Sequence, residues 1–278
     1  MNFKDHFSGH AHDYSQHRPT YPENLFSYMV EDGYNNIKLP FKEINAPNFN
    51  MSAEKKKALL LDMNSTFMFG EDRFTEDEDF SEHYQSIGGN LPPELVNDLI
   101  PRVYKYLEHR YPNEKYRHCF PSLAEAIDAT STNKIIEPEI EKIVKTFSYH
   151  EHGNIPDEYV NVLKQLNEKF TLSLVIDIWA PKDMWVDTFK RLGIWRLFSA
   201  YSFSSDHGIV KPSAKPFEMV VDKLSLSKEQ CLVIGDSIRR DLGGAQAAGI
   251  DCVLVGSAKS DKAVACYTNL LEFHEHMQ

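Results

Sequence analysis

Leu59-Leu60-Leu61-Asp62-Met63-Asn64-Ser65-Thr66 is the stretch whose reading decides the fold. A short apolar run that stops at an aspartate reads as a buried strand delivering a carboxylate to its C-terminal edge. In open α/β sheets that edge is where ligands bind. The second half of the chain repeats the pattern. Strands are expected at Leu172–Ile178, Leu197–Phe203, Cys231–Ile234 and Asp251–Val255, separated by helices at Asp183–Leu192, Lys215–Leu224 and Arg240–Ala248. Gly193 and Gly249 follow two of these helices as C-terminal stops. With Ala58–Leu61 the chain supplies five strands, and the fold class is α/β: a Rossmann-like, parallel five-stranded sheet covered by helices.

Between the first strand and the second lies a long helical stretch. Apolar residues recur at Leu95, Leu99, Val103, Tyr106 and Leu107, then at Ile140, Ile143, Val144 and Phe147, and again at Tyr159, Val160, Leu163 and Leu166. Ser122 followed by Glu125 is a capping box. So many helical residues exceed a simple crossover and predict an inserted helical cap beside the strand edge. The expected division is 1–52 as an appended segment, 53–72 with 170–278 as the core, and 73–169 as the cap. The acidic run from Glu71 to Asp79 lacks the glycine and closing glutamate of a calcium loop and reads as solvated.

The chain of 278 residues carries a net charge of −11, which weighs against nucleic acid and anionic membranes as partners. Its cysteines, Cys119, Cys231, Cys252 and Cys266, form no CxxC pair, and the polar start MNFKDHF carries no signal sequence, so a reducing, cytoplasmic setting is expected. His6, His10, His12 and His17 read as exposed polar histidines rather than a metal site. Phe7–Phe26, FSGHAHDYSQHRPTYPENLF, resembles the N-terminus of a family of S-adenosylmethionine-dependent methyltransferases. No glycine-rich cofactor loop follows it before Met51, so methyl transfer is not expected.

Three polar features end or follow strands: Asp62-Met63-Asn64-Ser65-Thr66, Lys211-Pro212, and Gly235-Asp236-Ser237 with Asp241 beyond. In this order, DMNSTF, GIVKPSAKPFEMVVDKL and LVIGDSIRRDLGGAQAAGIDCVLV resemble the motifs of the haloacid dehalogenase superfamily, with the insert resembling its C1-type cap. The resemblance implies a sheet order with the Ala58 strand between the Cys231 and Leu172 strands. It implies Asp62 as nucleophile and ligand to Mg2+, with Asp236, Asp241 and the backbone carbonyl of Asn64 completing the metal set. Lys211 would neutralise charge on the nucleophile and the transferring group. The Thr66 hydroxyl and nearby amides would shape the loop. The implied activity is hydrolysis of a small phosphorylated metabolite through an aspartyl-phosphate intermediate. The oligomeric state is left open.

Two departures from the family pattern bear on chemistry. Position 64 is an aspartate in the family's phosphatases, where it protonates the leaving group; Asn64 has no proton to transfer at neutral pH. The second strand places Ile176, followed by Asp177, where a phosphate-gripping serine or threonine is usual. An apolar side chain donates nothing, and a bare carboxylate repels phosphate. Three readings stay open: a Mg2+-dependent phosphatase with another proton donor, a dehalogenase-type hydrolase, and a catalytically weakened binding protein.

Overall fold

The computed structural model describes residues 56–132 and 134–277. The methyltransferase-like Phe7–Phe26 and the histidines around it lie outside the described residues. The chain enters the sheet at Ala58–Leu61 (β1), whose residues are all fully buried. Only a strand covered on both faces tolerates such a run.

Helices follow at Phe80–Ser86 (α1), Pro93–Glu108 (α2), Leu123–Thr130 (α3), Glu137–Glu151 (α4) and Asp157–Lys169 (α5). The chain then returns as Thr171–Ile176 (β2), Asp183–Arg191 (α6), Phe198–Phe203 (β3), Lys215–Leu224 (α7), Cys231–Gly235 (β4), Gly243–Ala248 (α8), Asp251–Val255 (β5), Ala265–Tyr267 (β6) and Leu270–His276 (α9). The strands form a six-stranded sheet in the order β3-β2-β1-β4-β5-β6, with every pairing parallel. The expected strands are present and β1 lies between β4 and β2, as the resemblance implied. The addition is β6, whose Ala-Cys-Tyr is too short to carry a periodic signal.

Side chains alternate across β1. Leu59 and Leu61 face a core with Leu163 and Leu166 of α5, Trp185 and Phe189 of α6, and Phe273 of α9. Ala58 and Leu60 face Phe217, Val220 and Val221 of α7 and Ala245 and Ala248 of α8. Lys169 Nζ donates to the Met277 carbonyl at 2.8 Å, so α5 is tied to α9 on the sheet side.

The remaining insert packs on itself around Phe74, whose ring lies 4.4 Å from Tyr104 and 4.6 Å from Phe147, centre to centre. Residues buried along α2 are Val96, Leu99, Ile100, Val103 and Leu107. Val96 and Ile100 take the place of Leu95 of the sequence reading, because both flank the Leu99–Val103 line at helical spacing, while Tyr106 packs half-buried against the same core. The capping box at Ser122 and Glu125 is formed.

Two linkers join this bundle to the sheet, and they pair. Phe69 N donates to Asn154 O and Asn154 N to Phe69 O, each at 2.8 Å. A Cβ on Gly153 would lie 2.7 Å from Phe69 O, so the crossing needs glycine. Arg73 reinforces it by donating to the carbonyls of Tyr149 and of His152.

Candidate active site

The turn after β1 is held by its backbone. Met63 O accepts from the amides of Thr66, Phe67 and Met68 at 3.1, 3.0 and 3.0 Å. Ser65 takes a left-handed conformation, φ 57°, at its centre. Asp62 N donates to Ile234 O at 2.8 Å, which fixes the aspartate at the β1/β4 edge. The Thr66 side chain is buried and its hydroxyl has no hydrogen-bond partner, so amides rather than that hydroxyl shape the loop. Asn64 Oδ1 is likewise buried without a partner.

The turn after β4 supplies the second wall. Ser237 begins a widened helical turn in which Leu242 N reaches back five residues to Ser237 O at 3.1 Å. Such widened turns recur at functional sites. This one points Asp241 back under Gly235, where a Cβ would lie 2.3 Å from Asp241 Cγ. The glycine of the GDS motif is the room that Asp241 occupies.

Lys211 joins the two walls. The residue is 1% exposed, and its ammonium donates to Asp62 Oδ1 at 2.6 Å, Asp241 Oδ1 at 2.7 Å and Val175 O at 3.2 Å. Burial alone would lower the Lys211 pKa, but Asp241, Asp62 and Asp177 outweigh it and hold the ammonium charged. Burial and then Asp241 push Asp62 up to about 7, against the pull of Lys211. Burial also raises Asp236, with Arg240 opposing.

Oxygens of Asp62, Asp236 and Asp241 lie within 4.8 Å of one another. Three converging carboxylates with no sulfur or imidazole among them are a donor set for a hard, oxygen-seeking divalent cation. The buried charge also calls for one: three carboxylates face Lys211 and the Arg240 guanidinium, which stands 3.5 Å from Asp236. The residues therefore fit a divalent ion. Asp241 already accepts from Lys211 on Oδ1 and from Ser237 N on Oδ2 at 3.0 Å.

The end of β2 accounts for Asp177. Its Oδ2 accepts from Lys211 N at 2.8 Å and from the Tyr111 hydroxyl at 2.5 Å. The carboxylate that sequence reasoning set against a phosphate thus holds the Lys211 backbone. Ile176 is buried in the apolar core. Sequence reasoning missed Arg240 as a site residue, read Glu71 as part of a solvated acidic run, and noted Tyr111 only among the aromatic residues of the insert. Arg240 lies inside a matched motif at a variable position, and the other two come from the insert and its linker, where no motif marks them.

The sequence matches the family described as haloacid dehalogenase-like hydrolase over residues 94–255, more than half of the chain. A glyceraldehyde 3-phosphate phosphatase of Methanopyrus kandleri is 27% identical over 205 residues, 73% of this chain and 85% of that protein. The pyrophosphatase PpaX of Halalkalibacterium halodurans is 28% identical over 137 residues, 46% of this chain and 62% of that protein. Among solved structures, a 2-haloacid dehalogenase from Pseudomonas syringae superposes with a TM-score of 0.54 at 18% identity, covering 80% of this chain and 98% of that one. A phosphatase of the same superfamily from Thermococcus onnurineus gives 0.54 at 17% identity, covering 80% and 97%. These structures share the fold. Among the described residues no helix is long and apolar enough to cross a membrane.

Proposed function

The chain belongs to the haloacid dehalogenase-like hydrolases, and from that premise we propose that it is a Mg2+-dependent phosphatase of a small phosphomonoester, working through a phosphorylated Asp62. The observation that carries this reading is Lys211 bonded to both Asp62 and Asp241 inside a cluster of three carboxylates. Pooling that much negative charge at one edge is costly unless the site handles a cation and an anion together.

Asp62, Asp236 and the Asn64 carbonyl would hold the ion, with Asp241 acting beside them through its grip on Lys211. When bound, the ion supplies the positive charge that lets a carboxylate approach a phosphate. Asp62 attacks phosphorus with its free carboxylate oxygen. Lys211 keeps Asp62 ionised and aimed, and offsets charge on the phosphoryl oxygens. Asp177 and Tyr111 set the position of Lys211 through its backbone. The M. kandleri relative, a glyceraldehyde 3-phosphate phosphatase by name, supports the phosphoester class.

Residues 53–72 with 170–278 are proposed as the core and the helical insert as the cap that selects the substrate. The tie between α5 and α9 argues for ending the cap before α5 rather than at residue 169. No methyl-transfer role is proposed for residues 7–26, and a cytoplasmic location remains the reading from cysteine usage.

Release of inorganic phosphate from a panel of phosphomonoesters, with Mg2+ and with EDTA, tests the assignment. Activity that requires Mg2+ and vanishes in Asp62→Asn is the expected result. Halide release from a haloacid without metal would support the dehalogenase reading instead.

A further inference from the structure

Asn64 leaves the proposed reaction without a proton carrier at the usual position, yet an alkoxide leaving group needs one. The described acids near the site are mostly committed. Asp241 has donors on both oxygens, and Asp177 Oδ2 takes two donors. Glu151 accepts from Trp179 N on one oxygen and Ala180 N on the other. Asp62 is bound to Lys211.

Glu71 differs. It sits on the linker between the β1 turn and the cap, two residues beyond the Phe69–Asn154 pairing. Its Oε1 accepts from the Ser65 hydroxyl at 3.2 Å, and Ser65 directly follows Asn64. Its Oε2 is buried and has no hydrogen-bond partner. A buried carboxyl oxygen without a partner is expensive unless something else completes it. Resting on the phosphatase reading, we propose that Glu71 carries the proton that Asn64 cannot, donating it to the leaving oxygen and later taking one from water.

As Asp62 forms its bond to phosphorus and the ester P–O bond breaks, Glu71 passes its proton to the departing oxygen, which leaves as an alcohol. The Glu71 carboxylate then removes a proton from water. The water oxygen bonds to phosphorus, the Asp62–phosphorus bond breaks, and Glu71 ends protonated.

Burial and the neighbouring carboxylates favour the protonated, proton-donating form of Glu71. Burial pushes the Glu71 carboxyl up to about 7, Asp72 beside it and Asp236 from the β4 edge adding to the effect, while its own amide and Ser65 pull it down. A group poised near working pH serves as both acid and base. Ser65 is the positioning residue, its left-handed backbone turning the hydroxyl toward Glu71.

The test compares wild type, Glu71→Gln, Asn64→Asp and the double variant on ethyl phosphate and p-nitrophenyl phosphate with Mg2+. Glu71→Gln is expected to lose ~10²–10⁴ in turnover of ethyl phosphate. On p-nitrophenyl phosphate, whose leaving group needs no proton, it should give a burst of nitrophenolate and then slow release of phosphate. Asn64→Asp in the Glu71→Gln background should restore ethyl phosphate turnover, which a folding defect would not allow. Glu71→Gln working at the wild-type rate on ethyl phosphate overturns the proposal, as does loss without burst or rescue. No Mg2+-dependent activity in wild type, or activity surviving Asp62→Asn, instead removes the phosphatase reading beneath it.

Discussion

The turn after β4 and the turn after β1 face each other across Lys211, and they are finished to different degrees. In the first, Gly235 is cut to admit Asp241, and both oxygens of Asp241 have donors. In the second, Asn64 Oδ1 and Thr66 Oγ1 are buried without partners, as is Glu71 Oε2 on the linker that follows. On the first side the oxygens of Asp241 are held by donors within the protein, while the carboxylate cluster still calls for a cation. The half that must handle a proton and a leaving group carries oxygens that no described residue of the protein engages. An Asp-to-Asn change on the second side therefore leaves the first side intact.

The strongest way to break this contrast is to remove the link. Lys211→Met leaves Asp62 and Asp241 buried without their cation, and unfolding in urea with EDTA present should show a loss of about 3–5 kcal/mol. Activity should vanish with it. Next is Gly235→Ala, whose new methyl collides with Asp241. It is expected to cost about 1–3 kcal/mol and to weaken Mg2+ binding measured by calorimetry.

The linker side is anchored to the end of α4, where Arg73 N donates to His150 O at 2.8 Å. Burial, and then Arg73, lowers His150 and His152 to about 4. Both are neutral when folded, while the unfolded chain protonates near pH 6.5. Stability should therefore fall as pH drops from 6.5 toward 4. Glu151, raised to about 8 by burial, slopes the other way, so the difference between proteins is the clean reading. His150→Phe should remove about 2 kcal/mol of the wild-type loss between pH 7 and pH 5. An unchanged slope in urea midpoints would contradict buried neutrality.

Smaller effects sharpen the open side. Asn64→Asp should change turnover by less than about tenfold, because Glu71 already supplies the proton. A large gain would mark Asn64 as damage rather than reassignment. Thr66→Val removes a hydroxyl that bonds to nothing in the protein, so a shift within about 1 kcal/mol is expected in thermal unfolding.

Most of the sheet was legible because β1, β2, β4 and β5 are largely apolar runs ending at a polar or glycine stop, as parallel strands buried on both faces do. Asp62, Lys211, Asp236 and Asp241 were legible because they are marked by their places at or beyond strand ends and by the family resemblance, and they are brought together at one edge. β6 was not, since three residues show no period. Nor were Tyr111 and Glu71, whose roles depend on how the insert folds back across the sheet edge. Asp177 was read as repulsive because nothing in the sequence says that its carboxylate turns to the Lys211 amide. Leu95 was mistaken for a buried position because a helix face is fixed only when the helix docks, and docking selected Val96 and Ile100.

The central claim is that Asp62 takes the phosphoryl group. The most direct measurement is peptide mapping by mass spectrometry of Glu71→Gln protein quenched in acid while turning over p-nitrophenyl phosphate with Mg2+. The account predicts a phosphoryl group on the peptide containing Asp62, absent when Asp62→Asn is added. A phosphoryl group carried on another residue, or one still present when Asp62→Asn is added, would contradict it.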